Sequence, residues 1–244
     1  MGTVVSFVVR RGDVPDLRAT NALKAACRIL HEADAIFSTW NPDSPMSRVR
    51  RGELALDDAP PVIREVLETC ESARALSGGW FDPWAMPGGV DPTGLVKGWA
   101  TQRAAAELQS AGITSAMINA AGDIVVLGER EPGRAWHVGV RDPRRPERLA
   151  CIVPVDGSIA TSAHYERPGQ VLDPRDGIPA LGLRSATVVG PDLGMADALA
   201  TGLLAAGAAG LRHIVALEDY SAYIIGTAGV IRVTPGFPRT SSPP

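Results

Sequence analysis

Lysine is almost missing from this chain of 244 residues: of its 24 Lys and Arg residues, only Lys24 and Lys97 are lysines. Basic surface is therefore written in arginine, and a lysine inside a motif needs a local reason. Aromatic residues make up only 5 % of the chain, and cysteine is limited to Cys27, Cys70 and Cys151. The three cysteines lack the spacing of a metal knuckle and sit among apolar or helix-forming neighbours. They read as small hydrophobes in a reducing compartment. No run of roughly 18 apolar residues stands out, so no membrane-spanning segment is expected. An excess of positive charge is missing too. The formal net charge is −3, which makes no case for nucleic acid or an anionic membrane as partner. Residues 1–9 lack the basic start and the length of a secretory leader; they read as a first strand, and the expected location is cytoplasmic.

What is present is a core-forming composition, 45 % hydrophobic and 21 % charged. Asp16 is placed to cap a helix reaching about Phe37, with Leu23, Cys27 and Leu30 recurring at helical spacing. Turn formers and two prolines interrupt residues 38–45. A second helix is expected over residues 60–76, with Val62, Val66 and Cys70 on one side and Gly78-Gly79 as its stop. Further helices are expected over 100–111 and from Asp192 or Gly194 through 206. Strands are expected at 116–119, 124–127, 136–140, 151–155, 159–161 and 185–189, with a closing meander over 214–218, 222–225 and 230–233. With no internal repeat or low-complexity linker, the pattern reads as one α+β domain over residues 1–239, followed by a frayed, disordered tail at 240–244.

Three stretches carry chemistry. In Asp91-Pro-Thr-Gly-Leu-Val-Lys-Gly-Trp-Ala100 an acid, a hydroxyl and the scarce Lys97 share a glycine-bearing turn. An ammonium reaching towards phosphate explains a lysine there, as does a plain strand-to-helix turn with an exposed side chain; the spacing is not that of a P-loop. Trp80-Phe-Asp-Pro-Trp84 suits a planar ligand or packs its rings onto the core. In Ala196-Asp-Ala-Leu-Ala-Thr201, Asp197 and Thr201 are i and i+4, so both oxygens leave one helix face and can meet one hard cation. The alternative is a capping or core-edge aspartate.

In their order and spacing these motifs resemble the ApbE family, the FAD:protein FMN transferases, along nearly the whole chain. The resemblance implies a single ApbE-like (T-fold-related) domain with mixed antiparallel sheets and packed helices. It implies FAD as substrate, Mg²⁺ as cofactor, and a Thr or Ser hydroxyl of an acceptor flavoprotein as the site to which FMN passes, with release of AMP. It also assigns roles by position. Met1, Trp40, Trp80, Phe81, Asp82, Asp91, Lys97 and Leu172 fall where the family contacts FAD. Gly94 and Ala200 (through their carbonyls), Asp197 and Thr201 fall where it binds the metal.

Three positions depart from the family pattern. Gln170 replaces the histidine of His-x-x-Asp-Pro, and it cannot act as a base near neutral pH. The usual Asn-x-Gly-Gly-Asp turn reads Asn119-Ala-Ala-Gly-Asp123. Ala163 stands for the glycine of Ala-Thr-Ser-Gly and is followed by His164, which becomes the candidate proton acceptor. The same site would split FAD to FMN and AMP if water were the acceptor, or would carry FAD without reaction if the chemistry were lost.

Overall fold

A computed structural model describes residues 3–10, 12–164 and 169–239. In chain order the elements are β1 (Val5–Val9), α1 (Asp16–Phe37), α2 (Pro45–Arg50), α3 (Pro61–Leu76), α4 (Thr93–Ser110), β2 (Ala116–Ala120), β3 (Asp123–Leu127), β4 (Trp136–Asp142), β5 (Arg145–Val155), β6 (Ser158–Ala163), β7 (Leu183–Gly190), α5 (Leu193–Ala206), α6 (Leu211–Val215), β8 (Ser221–Gly226) and β9 (Ile231–Val233). One seven-stranded sheet runs in the order β1-β2-β3-β6-β7-β8-β9, and β4–β5 form a separate hairpin. Every pairing between these strands is antiparallel.

The sheet is covered on both faces, and the pleat decides which residue meets which cover. Val125, Ala160, Val188 and Ile224 join the core made with the helices. Their chain neighbours Ile124, Ile159, Val189 and Ile225 join a second core with Val140, Cys151, Val153 and Val155 of the β4–β5 hairpin. Successive side chains of a strand leave on opposite faces, so central strands of a doubly covered sheet read as continuous apolar runs.

The largest difference from the sequence expectation lies in the central turn. Residues 93–99 are the first two turns of α4, not a loop before it. Asp91 Oδ1 accepts the Thr93 N–H at 3.0 Å in a tight turn that leads through Pro92 into the helix. Glycine is tolerated there because α4 crosses α5 very closely. A Cβ on Gly98 would stand 2.3 Å from the Leu193 carbonyl oxygen and 3.0 Å from the Asp197 Cβ. A Cβ on Gly94 would stand 3.1 Å from Phe81 Cε2 and 3.5 Å from Thr201 Oγ1. The expected strand over 214–218 is also absent: the chain leaves a 3₁₀ turn, Gly207–Gly210, and forms α6, burying Ile214. Its β-branched pair Ile214-Val215 suggested a strand, but the preceding small residues let the chain stay coiled. On α1 the buried stripe is Ala22, Ala26, Leu30, Ala33 and Phe37, one residue away from the expected Leu23 and Cys27. The segment Leu193–Val215 is long and apolar enough to cross a membrane by length and composition alone. Half of its apolar window is buried inside the fold.

Cys70 and Cys151 are buried and none of the three cysteines is in a disulfide. Burial, and then the charge of Asp91, push the Cys70 thiol up to about 12, so it stays protonated and packs as a small apolar group.

The crossing gives a direct stability prediction. Gly98→Ala forces a methyl against backbone that cannot rotate away, and overpacking of this kind costs about 1–3 kcal/mol. Urea unfolding followed by circular dichroism should show a lower midpoint with an unchanged m-value. An unchanged midpoint would mean that the two helices are not in such close contact.

Candidate functional site

The site grows out of that crossing. Gly94 and Gly98 of α4 lie against Thr201 and Asp197 of α5, so the i, i+4 pairs of two helices face each other. The Gly98 N–H donates to Asp197 Oδ2 at 3.2 Å. Thr201 Oγ1 and Ser162 Oγ of β6 lie 3.0 Å apart in a hydrogen bond. A third element enters from the sheet. The β2–β3 hairpin closes through Ala121 and Gly122, with φ of 51° and 98°. Asn119 Oδ1 accepts the Gly122 N–H at 2.8 Å. Positive φ at both residues is what a tight two-residue hairpin needs, and Ala121 adopts it where the family pattern has glycine. The register this turn sets sends the Asp123 side chain to the helix face, because its neighbour Ile124 faces the hairpin.

Asp123 is fully buried at its side chain and forms an ion pair with Lys97, which keeps 26 % of its side chain exposed. Asp123 Oδ1 accepts the Thr161 N–H at 3.1 Å, and Oδ2 is the oxygen that meets the Lys97 ammonium. Asp197 lies beside it. Burial first, then the negative charge of Asp123, push the Asp197 carboxyl well above the usual carboxylate range; Lys97 and the Gly98 N–H oppose this. The result is two adjoining carboxyl groups, one ammonium and two hydroxyls in a nearly dry pocket. Such an all-oxygen donor set suits a hard divalent cation. Among the described residues there is no cluster of three or more His, Cys, Asp or Glu of the kind softer metals use.

Asp123 was not singled out as a ligand from the sequence, and it is the central residue here. The signal that marks it is an aspartate in the first strand position after a tight turn, followed by an apolar run. Asp197, Thr201, Lys97 and Gly94 come together at the crossing of α4 and α5. Gly94 and Ala200 lie inside helices, where a carbonyl points along the axis towards the residue four positions on.

The aromatic loop flanks this pocket. Phe81 is buried against Gly94 and Gly202. Trp80 carries the Arg175 guanidinium 4.0 Å above its ring. Arg175 also bonds Asp173, and this contact holds the Asp173 carboxyl down at about 2. Asp82 pairs with Arg74 at 2.7 Å and caps the Trp84 N–H. Asp91 pairs with Arg50 at 3.0 Å. Leu172 bridges to Pro179 across the loop after β6. Trp40 stands 88 % exposed beyond α1, with no place in the pocket. Met1 lies outside the described residues. His164 follows β6, with its Nε2 buried and without a hydrogen-bond partner among the described residues. It is the first residue after β6, and its N–H donates to the Arg184 carbonyl at 3.2 Å. Gln170 is exposed.

A family model of the ApbE family matches residues 1–89 and 87–224. Over 154 residues the chain is 32 % identical to a Rhodobacter capsulatus protein named FAD:protein FMN transferase, covering 59 % of this chain and 28 % of that protein. It is 33 % identical over 129 residues to a Vibrio cholerae protein of the same name, covering 48 % of this chain and 39 % of that protein. The matches thus span well under half of either relative. Among solved structures, the flavin transferase ApbE from Vibrio cholerae superposes with a TM-score of 0.81 at 22 % identity, over 99 % of this chain and 95 % of that one. The ApbE protein of Thermotoga maritima gives 0.82 at 22 % identity, over 96 % of this chain and 94 % of that one. At such identity these two establish the fold, an α+β domain of that type.

The buried acid pair makes stability depend on pH with a definite sign. A carboxyl raised in the folded state binds its proton more tightly than in the unfolded chain. Its contribution is therefore complete below the unfolded value near 4 and is lost as pH rises towards the folded value. In chelator, Asp197→Asn should melt above the parent at pH 8, and the gap should close towards pH 4. Parallel melting curves across that range would remove the strain assigned to Asp197.

Proposed function

The chain belongs to the ApbE family, and on that premise we propose that it is an FAD:protein FMN transferase: it moves the FMN half of FAD onto a Thr or Ser hydroxyl of an acceptor flavoprotein and releases AMP, with Mg²⁺ as cofactor. The observation that carries this reading is the convergence of Lys97, Asp123, Asp197 and Thr201 from α4, β3 and α5. Breaking a pyrophosphate is largely a problem of placing positive charge around oxygens that gain negative charge. Asp197, Asp123 and Thr201 would hold Mg²⁺, which supplies part of that charge when bound. Lys97 supplies the rest as a compact ammonium on a flexible stem.

The transfer balances simply. The acceptor oxygen bonds to the FMN phosphorus, the bond from that phosphorus to the bridging oxygen breaks, and AMP leaves with that oxygen. The hydroxyl proton needs an acceptor. His164 is the residue offered here: its buried Nε2 has no hydrogen-bond partner among the described residues, and it directly follows the strand that carries Ser162. On the hairpin face of the sheet, opposite to the face that carries the Asp123 carboxyl, a cleft of about 460 Å³ opens beside β4, lined in part by Ser6, Asn119, Gly122, Val138 and Thr161. That volume is within the range of small-molecule sites.

Incubation with FAD, Mg²⁺ and an acceptor domain bearing a Ser or Thr flavinylation motif tests the reading. Covalently yellow acceptor supports it. Free FMN and AMP without labelling would make the protein a hydrolase, and unchanged bound FAD would make it a carrier. Two variants refine the outcome. Lys97→Met should weaken FAD binding by about ten- to a hundredfold, the worth of a charge-assisted contact, as followed by flavin fluorescence. His164→Ala should slow transfer by about 10²- to 10⁴-fold if it takes the proton, with FAD affinity nearly unchanged and partial rescue by Gln170→His. Transfer at the parent rate would return His164 to a packing role.

A further inference from the structure

The ion pair at the centre of the pocket poses a problem of its own. Lys97 spends its ammonium on Asp123, yet the reading above asks it to meet a pyrophosphate and asks Asp123 to meet a cation. The ammonium sits on Asp123 Oδ2, where a cation bound to that oxygen would sit, and the two positive groups repel each other there. The charges say what resolves this. With both carboxyls ionised, as a bound cation requires, the two carboxylates and one ammonium sum to a formal −1. Adding a divalent cation would bring this to +1 and set two positive centres against each other in a poorly hydrated space. A pyrophosphate carrying two negative charges returns the sum to −1.

We propose that Lys97 is the resident counter-ion of the Asp123–Asp197 pair, that a divalent cation displaces it from Asp123, and that the displaced ammonium becomes the pyrophosphate contact. The inference rests on reading the pocket as a cation and pyrophosphate site. Three features of the geometry support it. Asp123 is held from its other oxygen by the Thr161 N–H, so the carboxylate stays in place when the lysine leaves. Its Oδ2 is the oxygen that the Lys97 ammonium holds, so a cation bound there takes the ammonium's place. Lys97 is partly exposed while Asp123 is not, so the ammonium has solvent to swing into. Lysine suits this better than arginine, whose planar fork would lock onto the carboxylate. That is a local reason for one of two lysines in a chain otherwise supplied with arginine. Binding of the cation and of the dinucleotide then become coupled, and the coupling is reciprocal. Lys97 acts as a positioning residue until the dinucleotide arrives.

The scarcity of lysine makes the displacement observable. Protein labelled with ¹³C at lysine Cε shows two side-chain signals, from Lys97 and from Lys24 on the outer side of α1, assigned with Lys97→Met. Titration with Mg²⁺ alone, without FAD, should move the Lys97 signal in step with binding measured by calorimetry, while Lys24 stays still. Lys97→Met should bind Mg²⁺ more tightly, by about tenfold, and the gain should vanish in an Asp123→Asn background. A Lys97 signal that stays fixed while Mg²⁺ binds overturns the displacement but leaves the cation site intact. An absence of Mg²⁺ binding with both signals fixed overturns the cation reading itself, and the displacement with it.

Discussion

Two carboxyl groups pressed together inside a protein core are the constraint around which this molecule is arranged. Asp123 and Asp197 are each nearly inaccessible to water, and an unpaired charge so buried would be strongly destabilising. Every local feature addresses that cost. Lys97 reaches in from α4, the Gly98 N–H meets Asp197, and the Thr161 N–H meets Asp123. Gly98 must be glycine for α4 to approach α5 closely enough to deliver its amide. The β2–β3 turn must hold its register for Asp123 to face the helices. Ala121 accepts a left-handed conformation to keep that turn, at a cost of about 1–2 kcal/mol that glycine would not carry. A fold maintaining such an arrangement uses strain where function requires a pre-formed charged pocket.

The loops around the pocket are tied down by ion pairs of a different kind. Arg74–Asp82 and Arg175–Asp173 are partly exposed, and pairs of that type add little stability in water. Their effect is geometric. Arg175 joins the loop after β6 to the face of Trp80, and Arg50 joins α2 to the start of α4 through Asp91. Trp80, Asp82, Asp91 and Lys97, four of the residues the family pattern assigns to FAD, are thus engaged with other parts of the protein. Contacts with the dinucleotide would be added to, or exchanged for, these pairs.

Much of the architecture was legible in the chain because its signals are local. The i, i+4 spacing of Asp197 and Thr201, the Gly78-Gly79 stop after α3 and the apolar strand runs each report short-range geometry. What escaped depends on distant partners. Lys97 looked like a loop residue because glycines surround it, and only α5, about a hundred residues later, explains those glycines. Asp123 looked like a turn residue because its two partners lie on other elements. The exposed Trp40 shows the converse: its position in a motif agrees with the family while the structure leaves its side chain in solvent. The strand expected over 214–218 failed for a similar reason, since the glycine-rich turn before it coils the chain against β-branched preference.

A crystal structure of the protein with FAD and Mg²⁺ tests the central claim most directly. The account predicts one cation bridging Asp123 and Asp197 at metal–oxygen distances of about 2.0–2.1 Å, with the Lys97 ammonium moved from Asp123 onto a pyrophosphate oxygen. A cation bound elsewhere, or a bound FAD whose pyrophosphate lies away from Lys97 while the Lys97–Asp123 pair stays closed, would contradict it.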